Sequence, residues 1–442
     1  MRDEGTLKSE ICQAIDRGKA ETFAAAEAIL RNPELGFKEF ATAQLVSDRF
    51  QHLGIPHRTG LAITGVKGVI DTGRPGPTVA VMGELDSVVV YDHPFANPET
   101  GAAHACGHNI QIAMVLAIAA ALQATDAVSD LSGRIVLFAV PAEEYVEVDY
   151  RVNLARQGKL EFLGGKPELI RRGEFDDVDV AMLTHLTPRR EERKLSMLDS
   201  MNGCVVKQMQ FIGRAAHAGS APHQGINALN AAMVALTAIH TQRETFRDSD
   251  TVRVHPIITR GGDLVNVVPA DVRMETFVRG KTAAAMEDAD AKVNRALRAG
   301  AIAVGGKVKV TTLPGYLPLT TCKPLAALFK ENSLRVVKPE EYTEGGHLTG
   351  STDMGDISHI MPTIQPMAGG AEGTSHGSDY RVVDMENACL TPAKAMAMTV
   401  VDLLHGDAAG ARELLADYKP AMTREQYLAF MRKMNSEMVY EG

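Results

Sequence analysis

The chain has 442 residues, a formal net charge of −9 and 23% charged residues, and with no basic stripe it is a poor candidate for a nucleic-acid partner. Its five cysteines, Cys12, Cys106, Cys204, Cys322 and Cys389, are an odd count spread over the whole length, which excludes a disulfide framework and suits a reducing compartment. No apolar run reaches the ~18 residues of a membrane span, and Met1–Gly5 leads into a charged, helix-like segment without an apolar leader, so a cytoplasmic location away from membranes is expected.

In chain order, Thr78-Val-Ala-Val-Met82 reads as the first buried strand. His104-Ala-Cys-Gly-His108 follows and opens a helical stretch, Ile110 to Leu122. A thiolate and two imidazoles at a helix mouth are a donor set that suits zinc or a manganese-like ion, although Cys-x-His alone also occurs as a buried cysteine beside ordinary histidines. Arg134 to Pro141 is a second apolar run, and it ends in Glu143-Glu144. Adjacent carboxylates at a strand end are costly as packing, so one is read as a metal ligand and its neighbour as a proton carrier. Val178 to Leu183 repeats the pattern and ends near His185, while Gly373-Thr-Ser-His376-Gly places one more imidazole in a glycine-flanked loop. Ligand-type residues at the carboxyl ends of strands are where open α/β sheets build their sites.

Between residues 197 and 308 the grammar changes: strand Val205 to Ile212, helix Ile226 to Thr241, strand Asp271 to Val278 and helix Lys281 to Ala299. Met233 and Met286 on these helices are read as core, and Leu313 to Thr321, with its proline and glycine punctuation, as a return linker. The predicted fold class is α/β, a mostly parallel sheet with helices on both faces, interrupted by a smaller α+β domain. The expected boundaries are 1–196 and 309–442 for the metal-binding domain and 197–308 for the insert.

Seven motifs in this order resemble the aminoacylase, carboxypeptidase-G and auxin-conjugate amidohydrolase family of co-catalytic metallopeptidases, on its amidohydrolase branch near the aminobenzoyl-glutamate hydrolases. They are Asn32–Phe37, Gly83–Asp86, His104–Asn109, Pro141–Glu144, His217-Ala-Gly within Ala215–Pro222, Asn266–Pro269, and Gly350–Asp356 through His376. The resemblance implies a zinc-peptidase-like catalytic domain and a lid that also mediates dimerisation. It implies metal ligation by Cys106, His108, Glu144, His185 and His376, with Glu143 as general base and His217 acting from the lid of a second subunit. Asn266 would orient the substrate; Arg279, at the end of a strand, could pair with a substrate carboxylate or stand there as a solvated cation. The cofactor would be manganese or zinc, one or two ions, with cobalt a further option. Two positions depart from the family pattern: Asn109 stands where an acidic residue is common, and Val146 to Phe162 replaces a short glycine-rich link.

The expected activity is hydrolysis of a carbon–nitrogen bond in a small molecule that carries a carboxylate, foremost the amide of an aryl- or acyl-amino-acid conjugate. Hydrolytic deamination of an amino-substituted aromatic acid such as a nitroanthranilate uses the same metal chemistry. A regulatory metal-binding protein is the non-enzymatic alternative, and Glu143, which binds no metal in this scheme, speaks against it.

Overall fold

The computed structural model describes residues Met1 to Gly442, and the chain divides into two compact units. The larger takes Met1–Asp199, Thr320–Gly346 and Asp356–Arg424; the smaller takes Ser200–Leu319, His347–Gly355 and Glu425–Gly442.

The larger unit is built on one sheet of five longer strands, β1 (His57–Leu61), β2 (Gly65–Asp71), β3 (Thr78–Glu84), β4 (Arg134–Val140) and β5 (Val180–Leu183), and the short strand Thr363–Ile364. Their order is β1-β2-β4-β3-β5 followed by Thr363–Ile364. The β4-β3-β5 centre and the last strand run parallel, whereas β1 and β2 form an antiparallel edge. Every residue of β3 and of β5 is buried, which is why these segments are continuous apolar runs rather than alternating ones. Helix α1 (His108–Ala124) is apolar on nearly all sides and lies in the same core, where Ile112, Val115 and Leu122 join Val79, Leu137 and Met182. The segment after the paired glutamates, Val146 to Phe162, contains a helix, α2 (Val148–Arg156).

The smaller unit is an antiparallel sheet with two helices against it. Its strands are β6 (Gly203–Ile212), β7 (Arg253–Val254), β8 (Ile257–Arg260), β9 (Asp271–Gly280), β10 (Lys307–Tyr316) and β11 (Ser436–Glu441), in the order β7-β9-β6-β10-β11 with β8 also on β9. The long strands alternate in burial, as β9 does from Val272 to Gly280, so one face meets helices α3 (Ala228–Thr241) and α4 (Ala283–Val304).

Two expectations need correction. Leu313 to Tyr316 is no linker but the end of β10, where Pro314 pairs with Val205 of β6. The other neighbour, β11, stops at Thr312, so the proline stands where one side of the strand has no ladder bond to lose. Met286 is core, 1% exposed, but Met233 is 56% exposed, because the buried stripe of α3 runs through Ala228, Ala231, Ala232, Ala235 and Ile239 and passes it by.

That stripe of small residues lets α3 and α4 approach closely. A Cβ built on Gly300 of α4 would lie 2.3 Å from the carbonyl oxygen of Ala231 and 2.8 Å from Cβ of Ala235. Backbone cannot step aside as a side chain can. Gly300→Val is therefore expected to destabilise the protein by about 1–3 kcal/mol or more through overpacking, read as a lower midpoint in chemical denaturation; an unchanged midpoint would contradict the close contact.

Candidate metal centre

Three adjacent parallel strands deliver most of the site. β3 ends at Glu84, two residues before Asp86; β4 ends at Val140 and turns through Pro141-Ala142 into Glu143-Glu144; β5 ends at Leu183, two residues before His185. The second turn is strained and heavily held. Ala142 has φ 54°, a left-handed conformation that a non-glycine residue keeps only under external constraint. Its amide donates to the carboxylate of Glu39 at 2.8 Å, and the amides of Glu143 and Glu144 donate to the two oxygens of Asp86 at 3.1 and 2.8 Å.

Cys106 and His108 are placed by Gly107, whose φ is 91° and whose Cβ, if present, would lie 2.8 Å from the Tyr380 hydroxyl. Only glycine fits both conditions. His108 Nδ1 donates to the carbonyl of Asp86 at 2.9 Å, which directs Nε2 as the ligand atom. Asn109 takes no part in this; its amide donates to the Ala26 carbonyl at 3.2 Å. On the other side, His185 Nδ1 donates to the Leu186 carbonyl at 2.7 Å while Nε2 lies 3.4 Å from Cys106 Sγ. The His376 amide bonds the Ala105 carbonyl at 2.9 Å, tying its loop to the cysteine turn, and His376 keeps φ 63°.

These segments converge. Cys106, His108 and His185 form one cluster of potential ligand atoms, Cys106, Glu144 and His376 a second, and Glu84, His108 and Glu143 a third, each with its atoms within 4.8 Å of one another. The five residues expected to ligate metal and the expected base all fall in these overlapping trios. His104, the other imidazole of the motif, does not; it is buried beside a cavity of about 380 Å³ lined also by Phe23, Phe95 and Tyr380.

The residues fit a divalent ion. His108 Nε2 lies 3.1 Å from Glu84 and Glu144 Oε1 lies 3.1 Å from His376, yet both atoms are buried without a hydrogen-bond partner. Ligand-type atoms left facing each other without a hydrogen bond are what a cation between them would satisfy, once it has displaced the imidazole proton. The charge balance agrees. Burial opposes ionisation of Glu84, but Lys166 at 2.6 Å, with the nearby His108 and His185, holds it down to about 2. Burial likewise opposes Glu144, and His376 with His108 holds it to about 2. His108, against its burial, is pushed up to about 9 by Glu84 and Asp86. The Cys106 thiol is driven up by burial and by the glutamates around it, so a cation must displace its proton before it can ligate.

Sequence reasoning passed over Glu84 and Lys166. Glu84 carries the signal that revealed Glu143 and Glu144, a carboxylate closing an apolar strand, and fell within a motif noted only for its aspartate. Lys166 gave no signal: it is a lone lysine after two glycines, and it is fully buried with its ammonium on Glu84.

The other predicted site residues belong to the smaller unit. The His217 backbone bridges to Val267, and the Ala218 amide donates to the Asn266 carbonyl at 2.9 Å, so the two motifs meet. His217 Nδ1 accepts from the amides of Gly219 and Ser220 at 3.2 and 3.1 Å, and the ring is exposed. Arg279 lies on β9 with its guanidinium over the Phe277 ring, 5.1 Å from the centroid.

Comparison with known proteins places this architecture. The chain is 27% identical to a mouse (Mus musculus) Xaa-Arg dipeptidase over 98% of its own length and 94% of the relative. It is 26% identical to the IAA-amino acid hydrolase ILR1-like 2 of Arabidopsis thaliana over 80% of this chain and 79% of that one. A crystal structure from Bacillus subtilis, described as a dinuclear metal-binding peptidase, shares the fold with a TM-score of 0.64 at 18% identity, covering 86% of this chain and 97% of that chain. The model of peptidase family M20/M25/M40 matches residues 80–402, a span that holds every clustered ligand described above; the chain belongs to that family and is a metal-dependent hydrolase acting on carbon–nitrogen bonds.

Proposed function

We propose that the protein hydrolyses the amide of an aryl- or acyl-amino-acid conjugate, with a carboxylate on the substrate as its recognition handle. The observation that carries this reading is the meeting of the three ligand trios, with Glu143 in one and its neighbour Glu144 in another. Manganese or zinc, one or two ions held by Cys106, His108, Glu144, His185 and His376, would supply polarisation of the scissile carbonyl and a lowered pKa for water. Glu143 then takes the proton of the attacking water and returns it to the leaving nitrogen, so one carboxylate serves as base and then as acid. Asp86 and Glu39 fix the backbone that carries it.

The smaller unit acts as lid and dimerisation domain. His217 donates to the oxyanion that develops on the carbonyl, Asn266 orients the amide, and Arg279 forms a charge-assisted pair with the carboxylate. The protein works as a homodimer in which His217 serves the metal centre of the second copy. Support for pairing lies in the exposed apolar side chains of β8 and the loop after it: Ile257 is 51% exposed, Ile258 42%, Leu264 64% and Val265 103%. An apolar strand left open in this way is ordinarily covered.

Chelation should abolish hydrolysis while leaving the far-ultraviolet circular dichroism close to native, since the core is apolar and does not depend on the ion; adding manganese or zinc back should restore turnover on a panel of N-acyl-amino acids. Full activity in protein shown by elemental analysis to lack metal would refute the mechanism. In the same assay Glu143→Gln should lower kcat by at least ~10²-fold, the usual worth of a general base, with metal content near normal. Loss of metal in that variant would make Glu143 a ligand and reverse the two roles.

Subunit exchange tests the lid. His217→Ala and Glu143→Gln should each be nearly inactive, but a mixed dimer would hold one site with both residues intact. Random reassembly is expected to recover roughly a quarter of wild-type activity, because about half the dimers are mixed and one site of two is restored, given two-fold closed pairing. No recovery despite demonstrated exchange would assign His217 to its own chain or to no catalytic role.

A further inference from the structure

The segment Val146 to Phe162 contributes one residue that reaches back to the catalytic turn. Arg151 of α2 is 0% exposed, which is rare for a guanidinium and demands that its donors be used. Nη1 and Nη2 are used on main chain, whereas Nε is buried without a partner. Nη1 donates to the carbonyls of Leu163 at 2.7 Å and Ala142 at 3.3 Å, and Nη2 donates to the carbonyl of Glu144. The guanidinium is also stacked against two rings, with centroids 5.2 Å away at Phe37 and 5.5 Å away at Tyr145. Gly36 completes the fit, since a Cβ there would fall 2.3 Å from Nη2.

The contacts are selective. Ala142 and Glu144 flank Glu143, and these are the residues whose amides, with that of Glu143, are taken by Glu39 and Asp86. The turn is thus held by anions on its N–H side and by a cation on its C=O side. We propose that Arg151 is a positioning residue for the Glu143-Glu144 pair: the segment that replaces the short link supplies a buried guanidinium that fixes the turn at the geometry metal binding and proton transfer need. The role of Glu143 rests on the amidohydrolase reading, but the effect on Glu144 as a metal ligand does not.

A planar fork can serve three carbonyls where an ammonium cannot, so Arg151→Lys and Arg151→Met should behave alike. Metal-free full-length protein, titrated with manganese or zinc in a calorimeter, is expected to bind at least ~10-fold more weakly in both variants, as when the support behind a ligand is removed. On any amide the wild type cleaves, kcat should fall with KM little changed. Leu154→Ala is the control: it removes a buried side chain, 6% exposed, from the same helix without touching the turn, and should lower stability while leaving ion affinity unchanged. Arg151 variants that fold and bind the ion as wild type does, or an equal affinity loss in Leu154→Ala, would overturn the proposal. If neither Arg151 variant folds, Gly36→Ala displaces the guanidinium without removing it, and unchanged ion affinity in that protein would also overturn it. Because the ion is titrated without substrate, a failure to find amidase activity leaves this result standing.

Discussion

Buried negative charge is the constraint around which the larger unit is organised. Glu84 and Asp86 are fully buried, and Glu143 and Glu144 are 7% and 9% exposed, all at the ends of β3 and β4, with the three glutamates around one thiol. Like charges at such range cannot remain ionised away from water without compensation. Part of it is built in: Lys166 neutralises Glu84, and removing one partner of a buried pair of this kind costs about 3–5 kcal/mol. The rest falls to the imidazoles of His108 and His376, and the orphaned His108 Nε2 and Glu144 Oε1 mark where their contribution stops. A divalent cation completes the balance, and the same ion is what the reaction requires. Stability of this end of the sheet and catalytic competence therefore draw on one electrostatic arrangement.

The parallel sheet makes that arrangement possible, because neighbouring strands release their residues at the same edge. Register alone does not bring the ligand atoms within bonding range. That takes left-handed backbone at three turns: φ of 54° at Ala142, 91° at Gly107, which glycine adopts freely, and 63° at His376. Each of these residues is held by named partners, Glu39 and Arg151 at Ala142, the Tyr380 hydroxyl and Leu186 packed against Gly107, and the Ala105 carbonyl at His376. Two of the ten non-glycine residues with positive φ, Ala142 and His376, thus stand at the ligand-bearing turns.

What was legible in the sequence follows from this. Apolar strands closed by ligand-type residues are a local signal, so β3, β4, β5, Glu143, Glu144 and His185 could be read directly, and Cys106 with His108 through the spacing of their motif. Charges recruited by tertiary contact leave no such mark. Lys166 and Arg151 read as ordinary surface cations, and their partners, Glu84 and the turn's carbonyls, are distant in sequence or on main chain. β11 is a similar case, since Ser436–Glu441 joins β10 from more than a hundred residues downstream, and no periodicity announces which sheet a strand will enter. Pro314 misled in the opposite direction: its punctuation is real, but pairing on one side suffices for a strand to continue through it.

The two units also differ in how firmly they hold their candidate residues. Glu84, Asp86, Cys106 and His108 are buried on strand ends and a helix start, whereas His217 and Asn266 are exposed in turns and Arg279 is half-buried on a sheet. Exposed turns accept substitution at little cost to folding, while a buried charge network tolerates almost none. Divergence among relatives should then fall on the residues that meet the substrate and spare those that meet the ion. That is consistent with relatives described as an Xaa-Arg dipeptidase and as an IAA-amino acid hydrolase, each little more than a quarter identical to this chain. Within the larger unit, the segment carrying Arg151 is the exception: it sets a buried guanidinium against the carbonyls of Ala142 and Glu144, so that the turn holds a cation on one side and anions on the other.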